Sequence, residues 1–273
     1  MGVQANIGKK EIILGKIPVP PLPEQRAIAE ALSDVDALLG SLDRLIAKKR
    51  GIKQAAMQQL LTGKTRLPDF NGEWELRRLG EVAETDPENL GGDTRPDYAF
   101  NYVSLEDVDC GTLRGFSEQV FATAPSRARR KLRPSDVLVS TVRPNLRSHL
   151  YFESSEQNWV CSTGFCVLRC RAGATNAGYI FQHLFAAALN RQIESLLTGS
   201  NYPAMNRRDV QALEVPYPSF SEQTAIADVL NDMDAELAAL EQRQEKTRAL
   251  KQGMMQELLS GKTRLIVPEP AHA

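Results

Sequence analysis

Apolar residues between 24 and 67 recur at alternating steps of four and three: Ile28, Leu32, Val35, Leu39, Leu42, Ile46, Ala56 and Leu60. The same spacing returns at Ile226, Leu230, Met233, Leu237, Leu240, Met254 and Leu258. An average period of 3.5 is that of helices that wind around one another. Mid-seam the pattern turns polar, at Lys49 and Lys53 in one stretch and at Gln244, Thr247 and Lys251 in the other. Such positions fix register or face something other than the partner helix. The two stretches superimpose without a gap at a constant offset of 198, from EQRAIA and EQTAIA to LLTGKTRL and LLSGKTRL, with more than half of the positions identical. They are copies of one element.

The ends of both helices are marked. Proline-rich segments precede them, Ser221 is placed to cap the second, and Gly63 and Gly261 suit the left-handed position that closes a helix. About 38 residues at ~1.5 Å each give a rod of roughly 57 Å. A lone rod is poorly buried, so the two are predicted to pair. One runs towards the central segment and the other away from it, which makes the pair antiparallel.

Residues 68–220 have another texture. Turn signals (Asn71-Gly72, Gly91-Gly92) separate short β-rich runs: YAFNYVSL (98–105), DVLVSTV (136–142), HLYF (149–152) and NWVCSTGFCVLRC (158–170). NAGYIFQHLFAAALNRQIESLL (176–197) reads as one helix ending before Gly199. Helices do not alternate with strands, so the fold class is α+β. One globular domain with a mixed or antiparallel sheet is flanked by the two long helices.

Composition changes little. No apolar window reaches the length of a membrane span, and the four cysteines (Cys110, Cys161, Cys166, Cys170) lack paired spacing, which points to reduced thiols in a cytoplasmic protein. Signatures of phosphate loops, dinucleotide sites, zinc proteases, serine hydrolases and amino-methyltransferases are absent, which argues against catalysis or a cofactor in this chain. Charge, read locally, is informative. The chain carries −1 overall, yet residues 114–150 carry net +6. SRARRKLRP (126–134) offers phosphate contacts from Arg127, Arg129, Arg130 and Lys131. STVRPNLRS (140–148) offers Ser140, Thr141, Arg143, Asn145 and Arg147, side chains that hydrogen-bond base edges. TGSNYPAMNRRD (198–209) adds Asn201 and Tyr202 for bases, and Arg207 and Arg208 for phosphates. A basic run alone is equally a solvated face; three in one domain point to double-stranded DNA.

PLPEQRAIAEAL, YPSFSEQTAIADVL, the LLxGKTRL endings, WELRRLGEVAE (74–84), KLRPSDVLVSTVRPN (131–145) and GSNYPAMNRRDVQALEVPYP (199–218) together resemble the specificity subunits of type I restriction–modification systems. The resemblance runs nearly end to end. It implies a non-catalytic subunit whose recognition domains each read one half of a split DNA target, with an antiparallel coiled coil setting the spacing. It further implies docking to methyltransferase (M) subunits, and through them to restriction (R) subunits. S-adenosylmethionine, ATP and Mg would then sit on those partners, with no cofactor or metal on this chain. Arg44, Lys48, Arg243 and Lys246, on the outer helix faces, are docking candidates. A coiled-coil assembly protein with nonspecific nucleic-acid binding is the alternative.

Such subunits carry two recognition domains, and only one is complete here. Residues 2–20 align with 200–218, the tail of such a domain. The expected organisation is a domain tail (1–21), a first spacer helix (22–67), a recognition domain (68–220), a second spacer helix (221–265) and a short tail (266–273). The expectation is a natural half-subunit or the C-terminal half of a full subunit, to be completed by a second copy or by a complementing half.

Overall fold

The computed structural model describes residues 17–197 and 203–266. The chain divides into two compact units, residues 52–234 and the described parts of 1–51 with 235–273. The boundary crosses the long helices rather than falling at 67/68 and 220/221. Those helices are α1 (Leu22–Leu60) and, at the other end of the chain, Phe220–Leu259, of 39 and 40 residues. Their seams are as the apolar period predicts: Ile28, Leu42, Ile46, Leu60, Ile226, Leu230, Leu237 and Leu258 are buried. Gly63 and Gly261 hold φ of 69° and 73°, and their N–H groups close the last turns on Leu60 and Leu258. The cap of the second helix is Ser219 rather than Ser221: its Oγ accepts from the Glu222 N–H at 3.4 Å.

The polar mid-seam is bridged by charge. In the unit of residues 52–234, Lys53 pairs with Asp234 and Arg66 with Glu222. In the other unit, Lys251 pairs with Asp36, Arg264 with Glu24, Arg50 with Glu241 at 2.6 Å and Arg248 with Asp43 at 3.8 Å. Shifting each partner by 198 converts Arg66–Glu222 into Arg264–Glu24, Lys53–Asp234 into Lys251–Asp36, and Arg50–Glu241 into Arg248–Asp43. Reciprocal exchange of partners is the mark of a self-complementary, antiparallel pair. The duplicated sequence supplies it from within one chain.

Unit 52–234 is layered. After β1 (Glu75–Arg78), α2 (Leu79–Val82) and β2 (Ala83–Thr85) come β3 (Ala99–Val103), the hairpin β4 (Val108–Asp109) and β5 (Thr112–Leu113), and β6 (Ser117–Val120). β7 (Ala128–Leu132), β8 (Val137–Ser140), β9 (Leu150–Tyr151), β10 (Trp159–Ser162) and β11 (Phe165–Cys170) follow. Then α3 (Ala177–His183), α4 (Ala187–Leu196), α5 (Arg207–Ala212) and β12 (Glu214–Tyr217) lead to α6, the long helix Phe220–Leu259. One sheet has the order β2-β11-β8-β9, all antiparallel, and the other β6-β3-β10-β7, with β3 and β10 parallel. β1 pairs with β12. The mixed α+β expectation is met.

The first sheet is buried on both faces. Val137, Val139, Cys166 and Leu168 meet α3, α4 and the ends of the long helices through Tyr179, Ile180, Leu189, Ile193, Leu61 and Ile226. Their alternates Leu138, Phe165 and Val167 meet Val103, Trp159 and Cys161 of the second sheet. Consecutive strands β10 and β11 do not pair with each other; the chain turns a corner between the sheets at Thr163-Gly164. A Cβ on Gly164 would lie 2.6 Å from Leu105 Cδ1, so a larger residue there would have to displace that side chain.

The single helix expected over 176–197 is two. It breaks at 184–186, where Ala186 is extended (φ −74°, ψ 140°). The break lets Phe181 and Phe185 pack edge-on, with centroids 5.2 Å apart, against the hairpin at Gly111. Neither Gly nor Pro marks it; packing overrides propensity.

Candidate nucleic-acid interface

The corner at Thr163-Gly164 ties together segments remote in sequence. Thr163 N–H donates to the Arg127 carbonyl (2.8 Å), and the Gly164 carbonyl accepts from both Thr141 N–H and Thr141 Oγ1 (2.8 Å each). Met205 N–H then donates to the Thr141 carbonyl (3.0 Å), and Arg143 N–H to the Pro203 carbonyl (2.8 Å). The basic segments around 127, 141–147 and 203–208 are thus joined edge to edge by backbone hydrogen bonds.

Of the residues expected at phosphates, Arg127, Arg207 and Arg208 are exposed, and Arg129 and Lys131 are half-buried. Arg129 lies 4.9 Å over the Phe121 ring. Arg130 is a correction. Residues 129–131 belong to β7, where alternate side chains face opposite ways, and the Arg130 side chain is only 17% exposed and paired with Asp86. Burial lowers its pKa from the ordinary value, though a guanidinium stays charged, and Asp86 is the carboxylate paired with it. The local excess of charge is also smaller than the sequence suggests, since Arg133 pairs with Glu88 (2.5 Å) and Arg114 with Asp109 (3.1 Å).

Of the residues expected at bases, Arg143, Asn145 and Arg147 are exposed on the turn between β8 and β9, a 3-10 turn over Pro144–Leu146. Ser140 is a second correction: it ends a buried strand, is fully buried, and spends its hydroxyl on the Val142 carbonyl (2.9 Å). Thr141 is half-buried with its hydroxyl proton committed to Gly164. Asn201 and Tyr202 lie outside the described residues, as do residues 1–16 of the expected domain tail.

Several further residues shape this surface. Asp86 is buried at φ 50°, accepts from Val167 N–H (2.8 Å), pairs with Arg130, and stands 4.0 Å from Arg207 Nε. Thr85 Oγ1 accepts from Arg207 Nε (2.8 Å) and Gln211 Nε2 (2.7 Å). Asn206 and Asp209 form a reciprocal capping box at the start of α5. That box is legible as N-R-R-D in the sequence.

His149 lies beneath the turn, its Nδ1 accepting from Ser140 N–H at 3.1 Å. Burial, with Arg147 nearby, lowers its pKa to about 4. His183, at the end of α3, is lowered to about 3 by burial. Both are neutral in the fold but protonate near 6.5 when unfolded. Stability is therefore complete above pH 6.5 and is lost as pH falls towards 4, by up to about 1.4 kcal/mol per pH unit for each histidine. Urea unfolding at pH 7 and pH 5.5 should show this loss; equal stabilities would place both imidazoles in water.

Among the described residues, no group of three metal-ligating side chains converges, and no helix is long and apolar enough to cross a membrane. Residues 1–48 and 71–249 match the family described as type I restriction modification DNA specificity domain. Two curated relatives from Methanocaldococcus jannaschii are similar over almost the whole chain. The one named for the type I restriction enzyme MjaX is 25% identical over 280 residues, covering 96% of this chain and 62% of the relative. The MjaVIII specificity subunit is 23% identical over 287 residues, covering 95% and 65%. The chain thus spans less than two thirds of either relative's length. The solved HsdS subunit from Thermoanaerobacter tengcongensis aligns with a TM-score of 0.53 at 30% identity, over 71% of this chain and 48% of that one. With the profile covering most of the sequence, and with paired spacer helices and a two-sheet domain in place, the chain belongs to the type I restriction modification DNA specificity domain family.

Proposed function

We propose that this chain reads DNA sequence for a type I restriction–modification assembly. Unit 52–234 contacts duplex DNA and reads one half of a split target. The paired helices set the spacing to a second reading domain and dock methyltransferase subunits, through which restriction subunits join. Catalysis, with S-adenosylmethionine, ATP and Mg, belongs to those partners. Arg44, Lys48, Arg243 and Lys246 are all exposed and available for such docking.

The observation that carries this reading is the backbone link from Arg127 through Thr163-Gly164 and Thr141 to Met205. It gathers exposed cations from three segments around a rigid turn that presents Arg143, Asn145 and Arg147. Phosphate contacts position a protein on DNA, whereas base contacts specify sequence. Arg127→Ala should therefore weaken binding to all duplexes alike and reduce the salt slope by about one. Arg143→Ala should instead relax sequence preference, by roughly 10-fold or more at one base pair. Selection from a random duplex library by the full chain with its methyltransferase subunit, repeated at several salt concentrations, reads both effects. If the two variants scale affinity equally across all sequences, the division of roles is wrong; if the wild type enriches no sequence, so is the assignment.

A further inference from the structure

At the apex of the turn between β8 and β9, an apolar side chain faces water. Leu146 is 56% exposed, while Pro144 beneath it is buried. Single exposed leucines are common on protein surfaces, but the setting of this one is unusual. The residues on either side, Arg143 and Arg147, both hold left-handed backbone conformations, at φ 49° and 56°. Such conformations disfavour non-glycine residues and persist only where the surroundings impose them. Here they are imposed. Arg143 N–H donates to the Pro203 carbonyl (2.8 Å), Leu146 N–H to the Arg143 carbonyl (2.9 Å), and Arg147 N–H to the Pro144 carbonyl (2.9 Å). The Cys110 thiol reaches the Leu146 carbonyl at 3.8 Å. Leu146 is thus held out on a hydrogen-bonded turn beside exposed Arg143, Asn145 and Arg147.

Apolar atoms pressed against base edges would strand their donors and acceptors, except at a thymine methyl. Between base faces the environment is apolar, and a narrow aliphatic tip fits a partly opened step. We propose that Leu146 is an unstacking wedge: it enters one base step of the bound duplex, while the arginines on either side hold the strand and base edges that flank the opening. The proposal rests on the DNA-reading assignment above and adds to it a distortion of the DNA.

A duplex already unstacked at one step spares the protein that work. The probes are two 30-bp duplexes that differ only by a central C·C mismatch, bound by the full chain in fluorescence anisotropy. The wild type should prefer the mismatched duplex by about 10-fold or more. Leu146→Ala should reduce that ratio to about one without changing the salt slope, which reports phosphate contacts. Leu146→Met, still a long apolar side chain, should restore the preference. Leu146 is exposed, so neither variant removes core packing. An equal mismatch preference in the wild type and Leu146→Ala overturns the wedge while leaving DNA reading intact. So does an equal loss on both duplexes, as a thymine-methyl contact in an intact stack would give. Failure of the wild type to bind either duplex overturns the DNA assignment, and the wedge with it.

Discussion

Replacing Arg66 by alanine is expected to destabilise the fold by about 3–5 kcal/mol, the usual cost of leaving one member of a buried ion pair alone. Arg66 Nε and Nη2 donate to the two carboxylate oxygens of Glu222 at 2.5 and 2.7 Å, and Trp74 Nε1 donates to the same group at 3.1 Å. The Glu222 side chain is only 2% exposed. The guanidinium also lies 5.2 Å over the Trp74 ring and donates to the Gly72 carbonyl at 2.9 Å. Without Arg66 the carboxylate keeps the indole N–H but loses its counter-charge while Glu222 is 2% exposed. Arg66→Lys retains the charge and gives up the two-pronged geometry and the stacking, so its loss should be intermediate. Arg66→Met combined with Glu222→Met should recover most of the stability, because an apolar pair of similar volume avoids burying an unpaired charge. Urea unfolding of the four proteins tests this. A loss below about 1 kcal/mol for Arg66→Ala would show that Glu222 does not rely on Arg66 as its counter-charge.

This pair also explains why the chain carries LLxGKTRL twice. Gly63 stops one helix in the left-handed conformation, and the arginine three residues later reaches the Glu of the Glu-Gln pair at the start of the other helix. Gly261 and Arg264 repeat the arrangement with Glu24. Each ending is a clasp between opposite ends of two copies of one helix.

The helices and their pairing were legible because period, caps and duplication are local signals that agree with one another. The opposed charges of the clasps are legible too, once the copies are aligned antiparallel. The sheet domain was legible only in outline. ARRKL reads as a block of charge, yet on a strand its members alternate, and Arg130 turns towards Asp86 while Arg129 reaches Phe121. One edge of that strand pairs with β10, and the other is met by the segment 88–90: Leu90 N–H donates to the Arg129 carbonyl, and Lys131 N–H to the Glu88 carbonyl. Nothing in a linear window of charge anticipates that the loop after β2 delivers two carboxylates there. Ser140 misled for a related reason, since its polar neighbours obscure that it closes a strand buried on both faces. The break between α3 and α4 comes from aromatic packing and has no local cue.

Asp86→Ala is expected to match the loss at Arg66, about 3–5 kcal/mol, and the argument rests on three separate contributions of one side chain. Its carboxylate is the counter-charge of Arg130, whose Nε is buried without a hydrogen-bond partner. Its Oδ1 accepts from Val167 N–H in the middle of β11. Its backbone sits at φ 50°, which aspartate and asparagine tolerate far better than alanine. Asp86→Asn keeps the backbone preference and an acceptor for Val167 but removes the charge. It should therefore recover part of the stability, and the remaining difference from wild type isolates the ion pair. Asp86→Asn combined with Arg130→Met removes both charges and should be more stable than Asp86→Asn alone. If it is less stable, Arg130 draws its stabilisation from elsewhere, and the carboxylate is there for its backbone contacts rather than for the arginine. Chemical denaturation of the three variants beside wild type decides between these, and the answer bears on the candidate interface. Asp86 joins β2 to the strand that carries Arg130 and stands 4.0 Å from the exposed Arg207, so its charge bears on how both cations are placed at the candidate interface.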